Sequence, residues 1–315
     1  MTFPLVSVVI PLYNHAQFIR QCLDSVAEDS YPNKEIVIIN DGSRDSSAEI
    51  VRQWTSDNPG CAGEGFTFIN RENRGLTKTL NELVGLARGD MIAVLASDDY
   101  LLPGGIAARV TYLEQNPDKL AVFADCMLVD YDGTLTEASG LSDLHDGRIQ
   151  HLNSPGLISY EIVFNWCVPG PVFMARKTAF AVVGGYDESI AVEDWDFYLK
   201  LVSRDLLGFI DRYVAAYRIR PEELNQSGTV LQHISFNEAM FHTVSNNLPR
   251  FSGLRKAYLL AEKVKYFGIL ERLRGNASPV SFLARKAGRI MTKLLAAVYN
   301  MWARSLLSAA PRVSK

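Results

Sequence analysis

The sequence predicts an α/β protein built on a mostly parallel sheet, and three observations carry that prediction. Four apolar, strand-like runs alternate with helical patterns over roughly the first hundred residues. The runs are continuously apolar rather than alternating, as in strands covered on both faces. Each run ends in a polar or acidic cluster from which the next helix opens.

Val6 to Ile10 is the first run. It stops at Pro11-Leu-Tyr-Asn14 and is followed by a helical face of Phe18, Ile19, Cys22, Leu23 and Val26. Glu35 to Asn40 is the second and ends at Asp41-Gly42-Ser43, after which Ser46 to Glu49 reads as a capping box. Phe66 to Ile69 leads to Asn73-Arg74-Gly75 and a helix over Leu76 to Ala87. Met91 to Leu95 leads to Asp98-Asp99 and a helix opened by Pro103. Beyond these, Leu120 to Ala124 reads as a strand, Leu128 to Leu135 as a hairpin around Asp132-Gly133, and Trp195 to Val202 as a helix. The stretch from Ser139 to Pro155 is polar and irregular, the pattern of a lid on the acceptor side.

In sheets of this kind ligands bind outside the carboxyl ends of the strands. Asp41, Arg74, Asp98 and Asp99 all fall on that edge. Adjacent ionised carboxylates at a buried strand end are costly without a cation, so Asp98-Asp99 points to Mg²⁺ or Mn²⁺ shared with a diphosphate; an Asx-type turn is the competing reading. No Gly-x-Gly-x-x-Gly follows the first strand and no Gly-x-x-x-x-Gly-Lys-Ser/Thr occurs, which removes the main support for dinucleotide and P-loop sites.

Six motifs in order, Ser7-Val-Val-Ile-Pro-Leu-Tyr-Asn14, Ile39-Asn-Asp-Gly-Ser43, Asn73-Arg-Gly75, Ser97-Asp-Asp99, Gly184-Gly-Tyr-Asp-Glu188 and Glu193-Asp-Trp-Asp196, resemble the inverting family 2 glycosyltransferases of the GT-A fold. The resemblance covers residues 1–225 as a catalytic domain and leaves 226–315 as a helical C-terminal region. It implies that Pro11, Tyr13 and Asn14 belong to the donor nucleotide site. Asp41 would accept from the imide N–H of uracil or thymine, which favours a UDP-sugar and then a dTDP-sugar; guanine also offers N–H donors. Arg74 would lie near the base or diphosphate, and Asp98 and Asp99 would hold the metal. Asp194 would be the general base that deprotonates a saccharide hydroxyl, with Glu193 beside it; as plain residues, these acids would only charge a helix start. Trp166, Tyr186 and Trp195 are sugar-stacking candidates, with core packing the favoured reading for any one of them.

Two departures stand out. Ala96 sits where many relatives carry the first Asp of Asp-x-Asp, and Arg220, in Tyr217-Arg-Ile-Arg220, replaces a histidine that could ligate metal. A guanidinium cannot ligate a cation but can contact a diphosphate, which would weaken metal dependence. Two other classes fit part of the pattern: a nucleotidyltransferase on the same edge, and a non-catalytic sugar-nucleotide-binding scaffold.

Four cysteines without Cys-x-x-Cys spacing read as buried or idle thiols in a reducing cytosol, and five scattered histidines show no metal spacing. The start, Met-Thr-Phe-Pro-Leu, lacks a basic n-region. The net charge of −3 conceals an asymmetry: from Phe251 onward thirteen Lys and Arg face two Glu, so this end carries +11 and the rest −14. Leu283 to Leu307 interleaves Arg285, Lys286, Arg289, Lys293 and Arg304 with apolar residues at helical spacing. Its longest uncharged stretch, Leu294 to Ala303, is far below the ~20 residues that span a bilayer, so it reads as an interfacial helix at the cytoplasmic face of a membrane. A helix packed on the catalytic domain is the alternative, and nucleic acid is not an expected partner. Family habit adds a lipid-linked saccharide acceptor in bacterial surface polysaccharide (O-antigen or capsule) synthesis.

Overall fold

A computed structural model of the chain describes residues 3–61, 65–190, 193–219, 229–276 and 278–309. In chain order it runs β1 (Val6–Leu12), α1 (Ile19–Glu28), β2 (Lys34–Asp41), α2 (Ser47–Asp57), β3 (Phe66–Arg71), α3 (Leu76–Leu86), β4 (Met91–Val94), β5 (Tyr100–Leu101) and α4 (Gly105–Gln115). Then follow β6 (Ala121–Val129), β7 (Leu135–Ser139), α5 (Ile149–Leu152), α6 (Pro155–Phe164), β8 (Met174–Arg176), α7 (Thr178–Val183), α8 (Glu193–Val202) and β9 (Leu207–Arg218). Three helices close the described chain: α9 (Val230–Asn247), α10 (Gly253–Leu273) and α11 (Pro279–Ala309).

The chain divides into two compact units: Met1–Ile149 with Cys167–Glu188 and Asp205–Gln226, and Gln150–Trp166 with Ser189–Arg204 and Ser227–Lys315. The first unit holds the whole sheet, in the order β3-β2-β1-β4-β8-β6-β9-β5, with β7 paired to β6. The four strands expected to alternate with helices are parallel and adjacent, β1 lying between β2 and β4. From β8 onward the sheet is mixed: β8 runs antiparallel to both β4 and β6, whereas β9 runs parallel to β6.

β1 is central because its side chains are apolar on both faces. Val6, Val8, Ile10 and Leu12 share a cluster with Ile19, Cys22, Leu23 and Val26 of α1 and Trp54 of α2. Full burial of each large aliphatic side chain stabilises by about 1.5–3 kcal/mol. Trp54 meets its polar requirement by donating its indole N–H to Asp24 Oδ1 at 2.6 Å. The hairpin expected around Asp132-Gly133 forms between β6 and β7, and Gly133 takes φ +91, which a side chain would disfavour.

Two local expectations are corrected. No capping box forms at Ser46, whose side chain makes no cap bond; Asp45 Oδ1 instead accepts from the N–H and hydroxyl of Ser47. The stretch after Ser139 is not irregular. It contains a π-helical turn over Gly140–Leu144 and then α5, and its first part is fastened to β6 because the Asp125 carboxylate accepts from Ser139 Oγ (2.6 Å) and Leu141 N (3.1 Å).

The second unit is helical and draws α6 and α8 from mid-chain to join α9, α10 and α11, a grouping wider than a simple break at 225/226. Phe164 of α6 lies 4.2 Å from the Tyr258 ring of α10 and 4.8 Å from the Tyr299 ring of α11, centroid to centroid. Beside these rings is a buried polar triangle. The Tyr299 hydroxyl donates to Glu161 Oε2 at 3.0 Å, and His151 Nδ1 lies 3.0 Å from Glu161 Oε2 and 2.8 Å from the Tyr299 hydroxyl. A satisfied buried network of this kind fixes orientation, because any other packing leaves its members without partners.

Candidate active site

Within the first unit, the carboxyl ends of β1 to β4 converge, and the loops after them are stitched together before any ligand is considered. After β1 the chain turns through Asn14 at φ +54, in the left-handed region that Asn tolerates. Asn14 N–H donates to Ser43 Oγ at 2.9 Å, and Asn14 Oδ1 accepts from Arg44 N–H at 2.8 Å. His15 N–H donates to Ser47 Oγ at 3.1 Å and Ala16 N–H to Asp45 Oδ2 at 2.9 Å. Asp-Gly-Ser-Arg-Asp-Ser-Ser after β2 is therefore a set of acceptors and donors that lace the β1 loop to the β2 loop. Burial pushes the Asp45 carboxyl up, but the bonds from Ser47 and Ala16 outweigh it and hold the group below the ordinary range.

Asp41 ends β2 opposite Arg71 of β3. Its Oδ1 accepts from the Arg71 guanidinium and, at 2.9 Å, from Arg74 N–H; its Oδ2 accepts from Gly75 N–H at 2.9 Å. Of a carboxylate's roughly four lone-pair positions, these bonds leave one, on Oδ2. Gly42 has φ +73, and a Cβ there would stand 2.6 Å from Asn73 N, so only glycine lets the β2 and β3 loops approach so closely.

Asp41 lines a cavity of about 350 Å³ together with Pro11, Tyr13, Leu76, Ser97 and Asp98. Its lining is mainly apolar and includes two carboxylates, Asp41 and Asp98. Tyr13 and His15 are shared with a second cavity of about 470 Å³, lined also by Phe18, Asp45 and Tyr131, so the two spaces adjoin.

Asp98 and Asp99 follow β4 and are buried. Asp99 Oδ1 accepts from Arg218 N–H at 2.8 Å. The Arg218 side chain, from the end of β9, donates from Nε to the Asp98 carbonyl at 2.9 Å, to the carbonyls of Asp130 (3.1 Å) and Tyr131 (3.0 Å), and to Gln21 Oε1 at 2.7 Å, and it covers the Phe18 ring at 4.5 Å. One guanidinium thereby ties three chain segments to the end of β9 around the acidic pair. His15 Nδ1 lies 2.8 Å from Ser97 Oγ and 3.7 Å from Asp98 Oδ1. Among the described residues there is no group of three or more His, Cys, Asp or Glu arranged to hold a metal ion. Two adjacent carboxylates nevertheless fit Mg²⁺ or Mn²⁺ of the kind held by one or two carboxylates plus substrate phosphates, rather than in an all-protein cage.

In the second unit, Glu193 and Asp194 open α8. Burial pushes Asp194 up to about 6, against the opposing effect of its bond from Trp195 N–H at 2.6 Å. Burial, then the neighbouring Asp194 charge, pushes Glu193 up to about 7. Asp196 has a structural task, accepting from Asn247 Nδ2 at 2.6 Å and pairing with Lys200 at 2.7 Å.

Of the residues singled out in the sequence, Pro11, Tyr13, Asp41 and Asp98 line one cavity, and Asn14 belongs to the lacing just described. Arg74 reaches Asp41 only through its backbone; its side chain is 61% exposed and faces Glu82 at 3.6 Å. Trp195 is 3% exposed and donates its indole N–H to Ile162 O at 3.0 Å, which corrects the sugar-stacking expectation: its ring is core of the second unit. Trp166 is half-buried, with its ring edge-on to Tyr198 at 5.0 Å. Tyr186 is buried against Phe180, 5.9 Å away. Arg220 lies outside the described residues.

Sequence reading passed over Arg71, Arg218 and His15. Arg71 could have been found by aligning β2 and β3 in parallel register, which sets it opposite Asp41. Arg218 carried no local signal, since its partners lie 87–197 residues away in the chain.

A mixed sheet with helices on its faces, an acidic pair after a central strand and a cavity at the strand ends are the features of a GT-A fold. Residues 7–152 match the family model Glycosyl transferase family 2, and that match supports a family 2 glycosyltransferase. It is 28% identical over 199 residues to the chondroitin synthase of Escherichia coli, an alignment covering 63% of this chain and 26% of that synthase. The chain thus spans about a quarter of the length of that relative. The fold is shared with Staphylococcus aureus TarS in complex with UDP-GlcNAc (TM-score 0.63, 16% identity, 94% and 91% of the two chains). It is shared equally with the mannosyltransferase PcManGT of Pyrobaculum calidifontis in complex with GDP-Man and Mn²⁺ (TM-score 0.63, 17% identity, 96% and 88%).

Proposed function

We propose that the protein moves a sugar from a nucleotide-sugar, UDP-linked first and dTDP-linked next, onto a saccharide hydroxyl with inversion at the anomeric carbon. The observation that carries this reading is the cavity of about 350 Å³ with Asp41 and Asp98 in its lining. The remaining lone pair on Asp41 Oδ2 takes one base N–H, while Pro11 and Tyr13 flank the ring. The UDP-GlcNAc of TarS and the GDP-Man and Mn²⁺ of PcManGT support a donor of this chemical class.

Asp98 and Asp99 would hold Mg²⁺ or Mn²⁺ together with the donor diphosphate. A bound ion supplies electrostatic stabilisation to the departing nucleoside diphosphate. Asp194 accepts the acceptor's hydroxyl proton as the new C1–O bond forms and the C1–O bond to diphosphate breaks. A carboxylate raised to about 6 remains largely ionised at neutral pH yet is more basic than an ordinary aspartate, which suits a general base. The acceptor is taken to be a lipid-linked saccharide at the cytoplasmic face of a bacterial membrane, in surface polysaccharide (O-antigen or capsule) synthesis.

Calorimetric titration of UDP, dTDP and GDP, with and without Mn²⁺, on the unaltered chain and on Asp99→Ala tests the donor reading. Binding of UDP or dTDP that needs both the metal and Asp99 is the expected result. Binding indifferent to both overturns the metal-assisted mechanism.

A further inference from the structure

We infer that α11 docks on an anionic lipid surface through a defined apolar face, while the opposite face keeps it fixed in the second unit. The inference rests on the proposed lipid-linked acceptor only for its biological purpose; its physical basis is the helix alone.

At about 100° per residue, α11 presents three faces. The first is packed: Gly288, Thr292, Tyr299 and Ala303 lie on one side and are buried. The approach to α10 is close, since a Cβ at Gly288 would stand 2.5 Å from Lys265 N and one at Gly268 would stand 2.4 Å from Arg285 N. Tyr299 locks the rotation of the helix through its bonds to Glu161 and His151. The choice between packing and interfacial readings is therefore not exclusive: one face packs, and the others remain open.

The second face, opposite the first, is apolar and open to solvent. Leu283, Ile290, Leu294 and Met301 lie along it, and Leu294 and Met301 are 60% and 65% exposed. An isolated exposed leucine needs no account, but a row of large apolar residues along a helix does. The third face is a ridge of Lys286, Arg289, Lys293 and Arg304 along one flank. The helix contains no Asp or Glu.

Charge selects the occupant. A second copy of the same face would bring two basic ridges together with no acidic residue on either helix to offset them. An anionic bilayer accepts the apolar row into its headgroup boundary and pairs with the ridge. Among the described residues no helix is long and apolar enough to cross a membrane, so the contact is with the surface.

The test is co-sedimentation of the full chain with vesicles of phosphatidylcholine alone and of phosphatidylcholine with phosphatidylglycerol. Binding to the anionic vesicles is expected to exceed that to neutral ones by about tenfold or more and to fall by about tenfold in 0.5 M salt. Leu294→Ser with Met301→Ser, and separately Lys286→Gln with Lys293→Gln, should each abolish most of that binding while leaving the melting temperature and UDP titration unchanged, because all four side chains are exposed. Equal binding to both vesicle types, or full binding by the serine variant, overturns the proposal. So does a dimer in sedimentation velocity that the serine variant converts to monomer, which assigns the face to self-association. Because UDP titration is read in parallel, failure here is separable from failure of the donor reading.

Discussion

Asp98-Asp99 is a buried acidic dipeptide and Glu193-Asp194 a half-buried one, and the protein surrounds them in opposite ways. The first sits amid donors: Arg218 N–H on Asp99, the Arg218 guanidinium on the Asp98 carbonyl, and the His15 ring beside Asp98. The second is dominated by burial, with the Asp194 charge adding to it at Glu193, and both carboxyls rise. The difference teaches that one residue type can be set for two proposed tasks, a carboxylate pair ringed by donors for holding a cation and a pair with raised affinity for a proton for taking one.

Removing the proposed proton acceptor tests that division most severely. Asp194→Asn should lower kcat by about 10²- to 10⁴-fold with UDP affinity unchanged; a parallel loss of UDP binding would assign Asp194 to the donor instead. The pH dependence sharpens the same point. The rate should rise as pH passes through about 6, where Asp194 ionises. Stability should move the other way. Both folded-state values lie above the ordinary 3.8 and 4.5, so this contribution is full below those values and is lost as pH rises through about 6 and 7. Melting curves of Glu193→Gln should therefore be flatter across that window.

Around the first pair, the expected losses are structural. Arg218→Ala should destabilise the fold by about 3 kcal/mol, since it strands several buried carbonyls at once, and chemical denaturation reads this directly. Next come the two arginines at Asp41. Arg71→Ala should weaken UDP binding about tenfold, about 1.4 kcal/mol, whereas Arg74→Ala, which keeps its backbone N–H, should change it by less than about threefold. Equal effects from both would mean that the Arg74 side chain does reach the ligand. In the second unit, Tyr299→Phe removes both contacts of the hydroxyl in the buried triangle, with Glu161 and with His151, and should cost about 1–3 kcal/mol.

Much of this was legible in the chain. The first four strands, their parallel order and the carboxylates at their ends follow from period and punctuation, because burial on both faces leaves few other patterns. The His15 imidazole was passed over because a lone histidine in a loop has no period, and Arg218 because its meaning depends on segments far away in sequence. Ser46 to Glu49 misled for a different reason. Its spacing is that of a capping box, but Asp45 takes the Ser47 donors and the β1 loop takes Asp45 and Ser47 as acceptors. Trp195 misled because an aromatic beside acidic residues looks the same in sequence whether its ring faces a sugar or a core.

The lacing of Asn14, His15 and Ala16 to Ser43, Arg44, Asp45 and Ser47 has a thermodynamic consequence. Loops that a ligand must order subtract about 0.5–1.5 kcal/mol from its affinity for each side chain immobilised. Here the loops after β1 and β2 are already joined, so the enthalpy of nucleotide association should not be eroded by a large opposing conformational entropy. The loops should also resist amide exchange in the free protein nearly as well as in the bound one.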